Sequence, residues 1–394
     1  MLERVDNNHN NILLTCFNIK NVDNSIIYKV GDGYIGTINN NVLLLNLGEY
    51  YRKYKRFNKI FDQFIKTLNI DKLYASSKYH DLLTSVGFIK HKNYYVYYIK
   101  YHNVLTLEYP YSQHFVSLDD IKVALNDIRN YNMPRKGNNI TLNFMRERHM
   151  NRITDYFTDY CRSRCVFKNK QSPYDYYCKN KGKVVLQSLT NDIFDINKFE
   201  YILFNTPQVK FCNNFQVSLA STIYKIFNAK SVFDSSCGWG DRLIAAIALD
   251  ITYSGTDPSI CLKPLYKKII KTIGNKQKHK VYNMGIEELD SANIDPVDLC
   301  FTSPPFFDLE VYDDNNKSQS IVPYKSSIEW EKGFLIPLAE KNISILKNKG
   351  YFAFYIPGNY YTIKYLDKHP LLKKQQSIKF YTPKVREIFV WQKN

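Results

Sequence analysis

The sequence has few cysteines, no long apolar run and no basic, apolar leader at its start. Its eight cysteines are spread over 394 residues, too thinly for a disulfide scaffold, and a reducing compartment would keep them as thiols. No apolar run approaches the roughly 18 residues that a membrane span needs, and Met1–Asn8 lacks the features of a secretory signal. We therefore expect a soluble, cytoplasmic protein with reduced cysteines and no membrane partner.

Acidic residues are scarce relative to basic ones. The chain has 54 Lys and Arg against 37 Asp and Glu, a formal net charge of +17. Such a surplus indicates a polyanionic partner such as nucleic acid, although an A/T-rich genome would by itself favour Lys, Asn, Tyr and Ile. With 44% hydrophobic residues, the chain can form two or three domains of ordinary size.

Residues 1–112 predict a small α/β domain. Short apolar runs between Gly and Asn turns predict strands at Asn11–Thr15, Val42–Asn46 and Tyr94–Ile99. Tyr50–Leu68 carries aromatic and aliphatic residues at three- and four-residue spacing, which predicts an amphipathic helix. The end of this domain resembles that of an acetyltransferase-like domain, but the glycine-rich acyl-carrier loop is missing. We infer no such activity.

Residues 113–204 predict a basic, mostly helical region. A helix is expected at Ser117–Arg129, with Ser117 and Asp120 as a capping pair. Aromatic residues interleaved with cations are typical of surfaces that bind phosphates and stack on bases. The alternative is a solvated helical face over buried tyrosines. Our candidate nucleic-acid-binding residues are Arg146, Arg148, Arg152, Arg162, Arg164 and Lys168.

Cysteines in this region raise the question of a zinc site. Cys161, Cys165 and Cys178 could bind a metal together with Cys212 or His149. Zinc knuckles prefer Cys-x-x-Cys pairs, whereas these first two cysteines are one helical turn apart, as in ordinary packing. We predict no metal site.

Residues 205–394 alternate strands with helices. Helices are expected at 241–249, 260–273 and 327–346, the last kinked by Pro337. The alternation predicts a doubly wound α/β sheet with a closing antiparallel hairpin. The expected strands are 231–233, 252–256, 278–282, 298–302, 351–356, 377–381 and 387–391.

The first motif is the loop Asp234-Ser-Ser-Cys-Gly-Trp-Gly240 after the first of these strands. Its glycines allow a ligand to approach the backbone at the carboxyl end of the strand, where open α/β sheets bind cofactors. Asp257 ends the second strand, where an acid can accept hydrogen bonds from both ribose hydroxyls. The candidate cofactor-binding residues are Asp234, Ser236, Gly238, Gly240, Asp257 and Glu287, although Glu287 could equally be a first-turn helix acid.

The second motif is Thr302-Ser-Pro-Pro-Phe306, at the end of the fourth strand. Two consecutive prolines fix the backbone, so the carbonyl groups of Ser303 and Pro304 can face the cleft. The lone pair of an exocyclic base amine is delocalised. Acceptors that hold its hydrogens would favour attack, while Phe306 stacks on the base. Ser303, Pro304, Pro305 and Phe306 are the catalytic candidates. The alternative is a rigid structural turn.

Together the motifs resemble the amino-methylating DNA methyltransferases, which form N4-methylcytosine or N6-methyladenine, and among them the phage and viral members. The Thr-Ser-Pro-Pro-Phe sequence followed by Asp308-Leu-Glu-Val-Tyr312 carries this resemblance. It implies a Rossmann-like, seven-stranded domain over 205–394, S-adenosylmethionine as cofactor, and DNA as partner. It further implies cofactor roles for Asp234, Gly238, Gly240 and Asp257, and a role for 205–211 in holding the methionine end.

The sequence departs from that family in three ways. The usual Phe-x-Gly-x-Gly loop is replaced, and too few residues follow Phe306 for a separate recognition domain. Target recognition would then come from 1–205 or from the loop Asp308–Tyr324. No Pro-Cys nucleophile is present, which argues against cytosine C5 methylation; Cys237 and Cys300 are expected to be small buried residues. An RNA base methyltransferase and a non-catalytic nucleic-acid-binding scaffold remain alternatives.

Overall fold

The computed structural model describes residues 107–394 apart from short gaps at 113–115, 138, 142–143, 308, 313–318, 321, 359 and 382–384. Before residue 107 it describes the backbone of short strands and a few single residues. The predicted strand Asn11–Thr15 and the predicted helix Tyr50–Leu68 lie outside the described residues.

The chain forms two compact units. The first comprises Met1–Pro110 and Gln171–Lys210, and the second comprises Tyr111–Lys170 and Phe211–Asn394. The region 113–204, which we expected as one helical segment, is therefore divided between the two. Its composition is uniform along the chain, but long-range packing, which composition does not encode, decides which unit each part joins.

The helices and strands are numbered along the chain. The helices are α1 Leu118–Asn130, α2 Phe144–Arg162, α3 Pro173–Gln187, α4 Ile196–Phe204, α5 Val217–Ile226, α6 Asp241–Ala248, α7 Lys263–Ile273, α8 Ser327–Trp330, α9 Ile336–Ile345 and α10 Tyr361–Asp367. The strands are β1 Glu3–Val5, β2 Ile26–Val30, β3 Gly33–Ile38, β4 Val42–Asn46, β5 Lys72–Ser76, β6 Ile89–Lys90, β7 Tyr94–Tyr98, β8 Arg135–Lys136, β9 Asn139–Thr141, β10 Val166–Phe167, β11 Leu189–Thr190, β12 Ile193–Phe194, β13 Ser231–Asp234, β14 Thr252–Thr256, β15 His279–Tyr282, β16 Val297–Thr302, β17 Glu310–Val311, β18 Leu346–Phe354, β19 Leu372–Lys374, β20 Ile378–Tyr381 and β21 Val385–Lys393.

The first unit contains a sheet in the order β1-β2-β3-β4-β5-β7-β6. Only β4 and β5 of these neighbours run parallel. The predicted strands at Val42–Asn46 and Tyr94–Ile99 are confirmed as β4 and β7. Elsewhere in this unit the rings of Tyr109, Tyr177 and Phe199 pack edge to face, and the hydroxyl of Tyr177 donates to the carbonyl of Leu107 at 2.8 Å. The buried phenol is therefore satisfied.

The second unit is built on a sheet in the order β15-β14-β13-β16-β18-β21-β20-β9-β8, with β19 also paired to β21. The first five strands are parallel, and β21 runs antiparallel to β18. The predicted Rossmann-like, doubly wound sheet and its closing hairpin are confirmed. Its described part holds ten strands rather than seven, because β8, β9 and the short β19 extend the edge that carries the hairpin.

Apolar layers cover both faces of this sheet. One face packs against α1, α2, α5, α6 and α7, and the other against α9 and α10. Helix α1 begins with the predicted capping box, in which Ser117 and Asp120 bond each other's backbone N–H. No helix among the described residues is long and apolar enough to cross a membrane.

The expected long helix over 327–346 is interrupted as Pro337 requires. A π-helical turn, Glu331–Leu335, lies between α8 and α9. Proline cannot donate to the carbonyl four residues earlier, which is that of Gly333. That carbonyl instead accepts a hydrogen bond from the hydroxyl of Tyr324 at 2.7 Å. The interruption is thus stabilised by a side chain from the preceding loop.

Candidate active site

The glycine loop lies at the carboxyl end of β13. Gly238 has φ of 57° and Gly240 has φ of 91°, backbone conformations that favour glycine. A Cβ at Gly240 would lie 3.2 Å from the side chain of Ile269, whereas one at Gly238 would meet nothing closer than 3.8 Å. Gly240 therefore serves helix packing, whereas a Cβ at Gly238 would meet only ordinary van der Waals contacts.

A buried ion pair between Asp234 and Arg242 stabilises this loop from the core side. Asp234 is fully buried, and its Oδ2 accepts hydrogen bonds from Arg242 Nε at 2.7 Å and from the hydroxyl of Tyr253 at 2.8 Å. The guanidinium also bonds the carbonyl of Ser236. Removing one partner of a buried ion pair costs about 3–5 kcal/mol, because it leaves the other charge uncompensated. Asp234 thus shapes the loop from inside the protein.

Asp257 lies at the end of the neighbouring strand β14 and faces the same loop. Its Oδ2 accepts the N–H of Gly238 at 2.9 Å, and its Oδ1 accepts the N–H of Ser259 at 2.9 Å. Burial raises the pKa of Asp257 to about 6, although those two N–H donors lower it. An ionised carboxylate has about four acceptor positions. The two N–H groups take two of them, and the hydroxyl of Tyr266 lies within hydrogen-bond reach of a third.

The other two cofactor candidates differ in exposure. Ser236 is half-buried, and its backbone N–H donates to Asp234 Oδ1 at 3.2 Å. Glu287 lies in a 3₁₀ turn after β15 and is exposed. The amide of Asn283 donates to the carbonyls of Asp257 and Ser259. It orders the strand end that carries the acid.

The double-proline turn follows β16 directly. Ser303, Pro305 and Phe306 are half-buried, and Pro304 is buried. The carbonyl of Phe306 accepts the N–H of Leu309 at 3.0 Å, and Phe307 has φ of 42°. A left-handed aromatic residue is rare and strained, a feature that clusters at functional sites.

The two motif turns share one edge of the sheet. β13 and β16 are adjacent and parallel, with Val232 opposite Leu299 and Phe233 opposite Cys300. Their carboxyl ends therefore lie side by side. The ring of Trp239, in the glycine loop, meets that of Tyr312, beyond the proline turn, edge to face at 5.7 Å. Phe306 is not sealed in the core.

Strands β10 and β17 attach the segment after the proline turn to the preceding helical region. Val166 pairs with Val311 and Phe167 with the buried Glu310. The N–H of Lys168 donates to the carbonyl of Leu309 at 3.0 Å. Residues 166–168 therefore border the site, and Lys168 is exposed there.

The basic candidates divide into three kinds. Arg152, like Lys168, is exposed. Arg164 lies over the ring of Tyr160 at 3.8 Å and donates to its carbonyl. Arg162 has a side chain only 11% exposed, and it pairs with Asp155 at 2.7 Å and Asp159 at 3.0 Å. The charge of Arg162 is thus neutralised by two acidic side chains of the same helix.

Arg146 and Arg148 lie in the first turns of α2, and their side chains are outside the described residues. Their assignment to nucleic-acid binding stays a prediction.

The cysteines behave differently from our expectation. The structure joins Cys161 to Cys261 and Cys165 to Cys212, with Cα atoms 6.1 and 6.2 Å apart, separations that suit disulfides. The expectation of reduced thiols was wrong for these four, because spacing along the chain does not show which cysteines the fold brings together. Among the described residues, no group of three His, Cys, Asp or Glu could hold a metal.

The predicted burial of the other two motif cysteines is confirmed. Cys237 and Cys300 are 1% and 0% exposed.

Three residues of the site were missed in the sequence. Arg242 could have been found as a lone cation in an alanine-rich helix. Asp241, at the start of α6, accepts the hydroxyl of Thr154 at 2.7 Å and the N–H of Phe215 at 3.2 Å. Tyr355 follows β18 at the same sheet edge, and its N–H donates to the carbonyl of Thr302. These contacts join segments far apart in the chain.

No protein-family model matches the chain, and no curated protein matches it significantly. The solved structures that it resembles include the following three. TrmN from Thermus thermophilus is 15% identical over 46% of this chain and 49% of its own, with a TM-score of 0.34. The N-methyltransferase NodS from Bradyrhizobium japonicum is 8% identical over 45% of this chain and 92% of its own, with a TM-score of 0.32.

The third is magnesium protoporphyrin IX methyltransferase from Synechocystis with bound SAM. It is 8% identical over 45% of this chain and 79% of its own, with a TM-score of 0.33. The match thus spans about half the length of TrmN and more of the other two. Identities this low concern the fold alone, so the function is argued from the site.

Proposed function

We propose that the second unit transfers a methyl group from S-adenosylmethionine to an exocyclic amine of a DNA base. One observation carries the proposal: the glycine loop and the double-proline turn follow adjacent parallel strands and share their carboxyl edge. Ligands of open α/β sheets bind at that edge. A methyl donor at the first turn and an amine at the second would lie next to each other.

The residues at the loop fit this cofactor. Asp257 keeps an acceptor position for a ribose hydroxyl beside the N–H groups of Gly238 and Ser259 and the hydroxyl of Tyr266. Gly238 has no side chain and no tight contact at its Cβ position, which favours the approach of a ligand to its backbone. When bound, the cofactor supplies a methyl group on a positively charged sulfur. Arg242 stays below the loop with Asp234, so its charge is balanced before a cationic ligand arrives.

The residues of the proline turn would hold the amine. Pro304 and Pro305 have no N–H, so the turn offers carbonyl acceptors without competing donors. Ser303 and Pro304 carbonyls would accept the two amine hydrogens, and the half-buried Phe306 would stack on the base. This places the amine lone pair toward the methyl group, and orientation of this kind lowers the barrier without a covalent enzyme intermediate.

A DNA partner is supported by an exposed cation beside the site. The exposed Lys168 borders the proline turn through its backbone bond to Leu309, and Arg152 is also exposed on α2. A base inside a duplex must leave its stack to reach such a turn, which single-stranded or flipped bases do.

The test combines cofactor binding with identification of the product. Titration calorimetry should show binding of S-adenosylmethionine by the full chain. Mixed-sequence DNA and RNA are then incubated with protein and cofactor, digested to nucleosides and analysed by mass. A methylated amine in DNA supports the proposal. Modification of RNA alone would reassign the substrate, and absence of cofactor binding would indicate a non-catalytic scaffold.

A double variant tests the roles at the proline turn. Ser303→Ala with Phe306→Ala should abolish methyl transfer and leave cofactor affinity within about threefold, because it removes the ring that would stack on the base and the Ser303 hydroxyl, a further acceptor for the amine, while it keeps both carbonyls. The matched control is Ser344→Ala with Phe204→Ala, since both side chains are exposed and outside the motif turns. A large loss of cofactor binding in the first variant alone would contradict the assignment.

A further inference from the structure

The hairpin that closes the second unit's sheet extends past the catalytic edge. Phe354, the last residue of β18, pairs with Phe389 of β21. Because the two strands are antiparallel, the preceding part of β21, Val385–Ile388, lies beyond the end of β18. This part pairs with β20, which in turn pairs with β9 and then β8. Four strands thus continue the sheet on the side where the proline turn lies.

One row across these strands carries an arginine at each end. The register aligns Arg135 with Ile140, Ile140 with Phe380, and Phe380 with Arg386. Residues directly opposite each other share a face of the sheet. Ile140 and Phe380 are buried, whereas both arginines are exposed. At a strand spacing of about 4.8 Å, the arginine backbones are roughly 14 Å apart.

Arg386 is connected to the catalytic turn through one ring. Its Nη1 donates to the hydroxyl of Tyr355 at 2.6 Å. The ring of Tyr355, 6% exposed, meets Phe306 edge to face at 6.1 Å and lies 5.5 Å from Phe380. Edge-to-face contacts fix the relative orientation of aromatic rings. Arg386 therefore holds the ring of Tyr355 in the orientation in which it contacts Phe306.

We propose that Arg135 and Arg386 bind backbone phosphates beside the target base, and that Arg386 also positions Phe306 through Tyr355. This inference rests on the proposed function. A guanidinium has five N–H donors in a planar fork suited to phosphate, and the bond to Tyr355 uses one of them. A base stacked on Phe306 has its own phosphates within reach of that row, so the two arginines would bind the strand that carries it.

The phosphate role is tested by salt dependence of binding, without cofactor. Anisotropy of a fluorescein-labelled DNA duplex of mixed sequence is measured over a salt series. Arg386→Ala and Arg135→Ala should each weaken binding several-fold at low salt and reduce the slope of log affinity against log salt by about 0.9. Arg386→Lys should restore the slope.

Lys379→Ala is the matched control. It removes the same charge from an exposed side chain of the same hairpin, but its register aligns it with Asn139 and Glu387, on the opposite face. Its slope should equal that of the wild type. Unchanged slopes in both arginine variants, or an equal change in Lys379→Ala, would overturn the inference.

The positioning role has a separate readout in the rate at saturating DNA. Tyr355→Phe keeps the ring and removes the hydrogen bond, so single-turnover transfer should fall about two- to tenfold with DNA and cofactor affinities unchanged. Adding Arg386→Ala should lower that rate no further, because both changes remove one contact. An additive loss would overturn the positioning role.

The tests also separate this inference from the proposed function. If the wild-type protein methylates DNA while the arginine variants bind and react normally, the proposed function is supported and phosphate binding by Arg135 and Arg386 is rejected. Wild-type protein that binds S-adenosylmethionine but neither duplex nor single-stranded DNA would reject both.

Discussion

The affinity for S-adenosylmethionine should rise with pH and level off above about pH 7, because Asp257 must be ionised to accept a ribose hydroxyl. Burial raises the pKa of this carboxyl to about 6 in the unliganded protein. At pH 5 only about one molecule in ten then carries the charge. Hydroxyl donors favour the charged form, so they lower the pKa in the complex. If the protonated form binds negligibly, affinity at pH 5 should be about tenfold below that at pH 7, or about 1.4 kcal/mol.

Calorimetric titrations from about pH 5 to about pH 8 measure this dependence, and proton release near pH 6 provides a second readout. Asp257→Asn should bind weakly at every pH, since its amide NH₂ would face the N–H of Gly238 or Ser259. Asp250→Asn is the matched control, because this exposed acid pairs with Lys278 at 2.6 Å. Its profile should follow the wild type. An affinity that is constant, or that falls as pH rises from 5 to 7, would refute the assignment.

Two further predictions concern buried residues that pack beside the glycine loop, Asp241 and Gly255. Burial raises the pKa of Asp241 to about 7, although the hydrogen bond from Thr154 lowers it. The stability that protonated Asp241 contributes is therefore complete below about pH 4 and is lost as pH rises through about 7. Asp241→Asn should therefore raise the free energy of unfolding at pH 8 by up to about 4 kcal/mol, measured in urea; a less stable variant at that pH would contradict this. Gly255→Ala places a Cβ 2.5 Å from Cys237 Sγ and 2.6 Å from the carbonyl of Asp234. It should lower stability by about 1–3 kcal/mol and weaken cofactor binding, and an unchanged thermal midpoint would count against the packing described.

The elements that sequence patterns predicted are those whose signal is local. Apolar runs predicted the strands of the second unit, and β13 and β16 end where the two motifs begin. The capping pair at Ser117 depends only on residues three apart. By contrast, the bond from Arg386 to Tyr355 joins residues 31 apart, and that from Thr154 to Asp241 joins residues 87 apart. No periodicity predicts such pairs, because they depend on which strands become neighbours.

The same limit explains why charge alone misplaces a binding surface. Arg162 and Arg386 look equivalent in the sequence, since each is a cation near aromatic residues. The fold places Arg162 between Asp155 and Asp159, where it neutralises two acids. It leaves the side chain of Arg386 exposed on β21 and bonded to a phenol. A cation already paired with carboxylates gains little from a phosphate, because binding would first break those pairs.

The two motif turns are joined by packing as well as by the sheet. The guanidinium of Arg242, which bonds Asp234, lies 5.4 Å from the ring centre of Phe215. Phe215 meets Tyr355 edge to face at 5.8 Å, and Tyr355 meets Phe306 at 6.1 Å. Close-packed interiors transmit displacements with little compression. A shift of the glycine loop would therefore move the ring of Phe306, so the relative positions of the two motif turns are set by one continuous stack rather than by two independent loops.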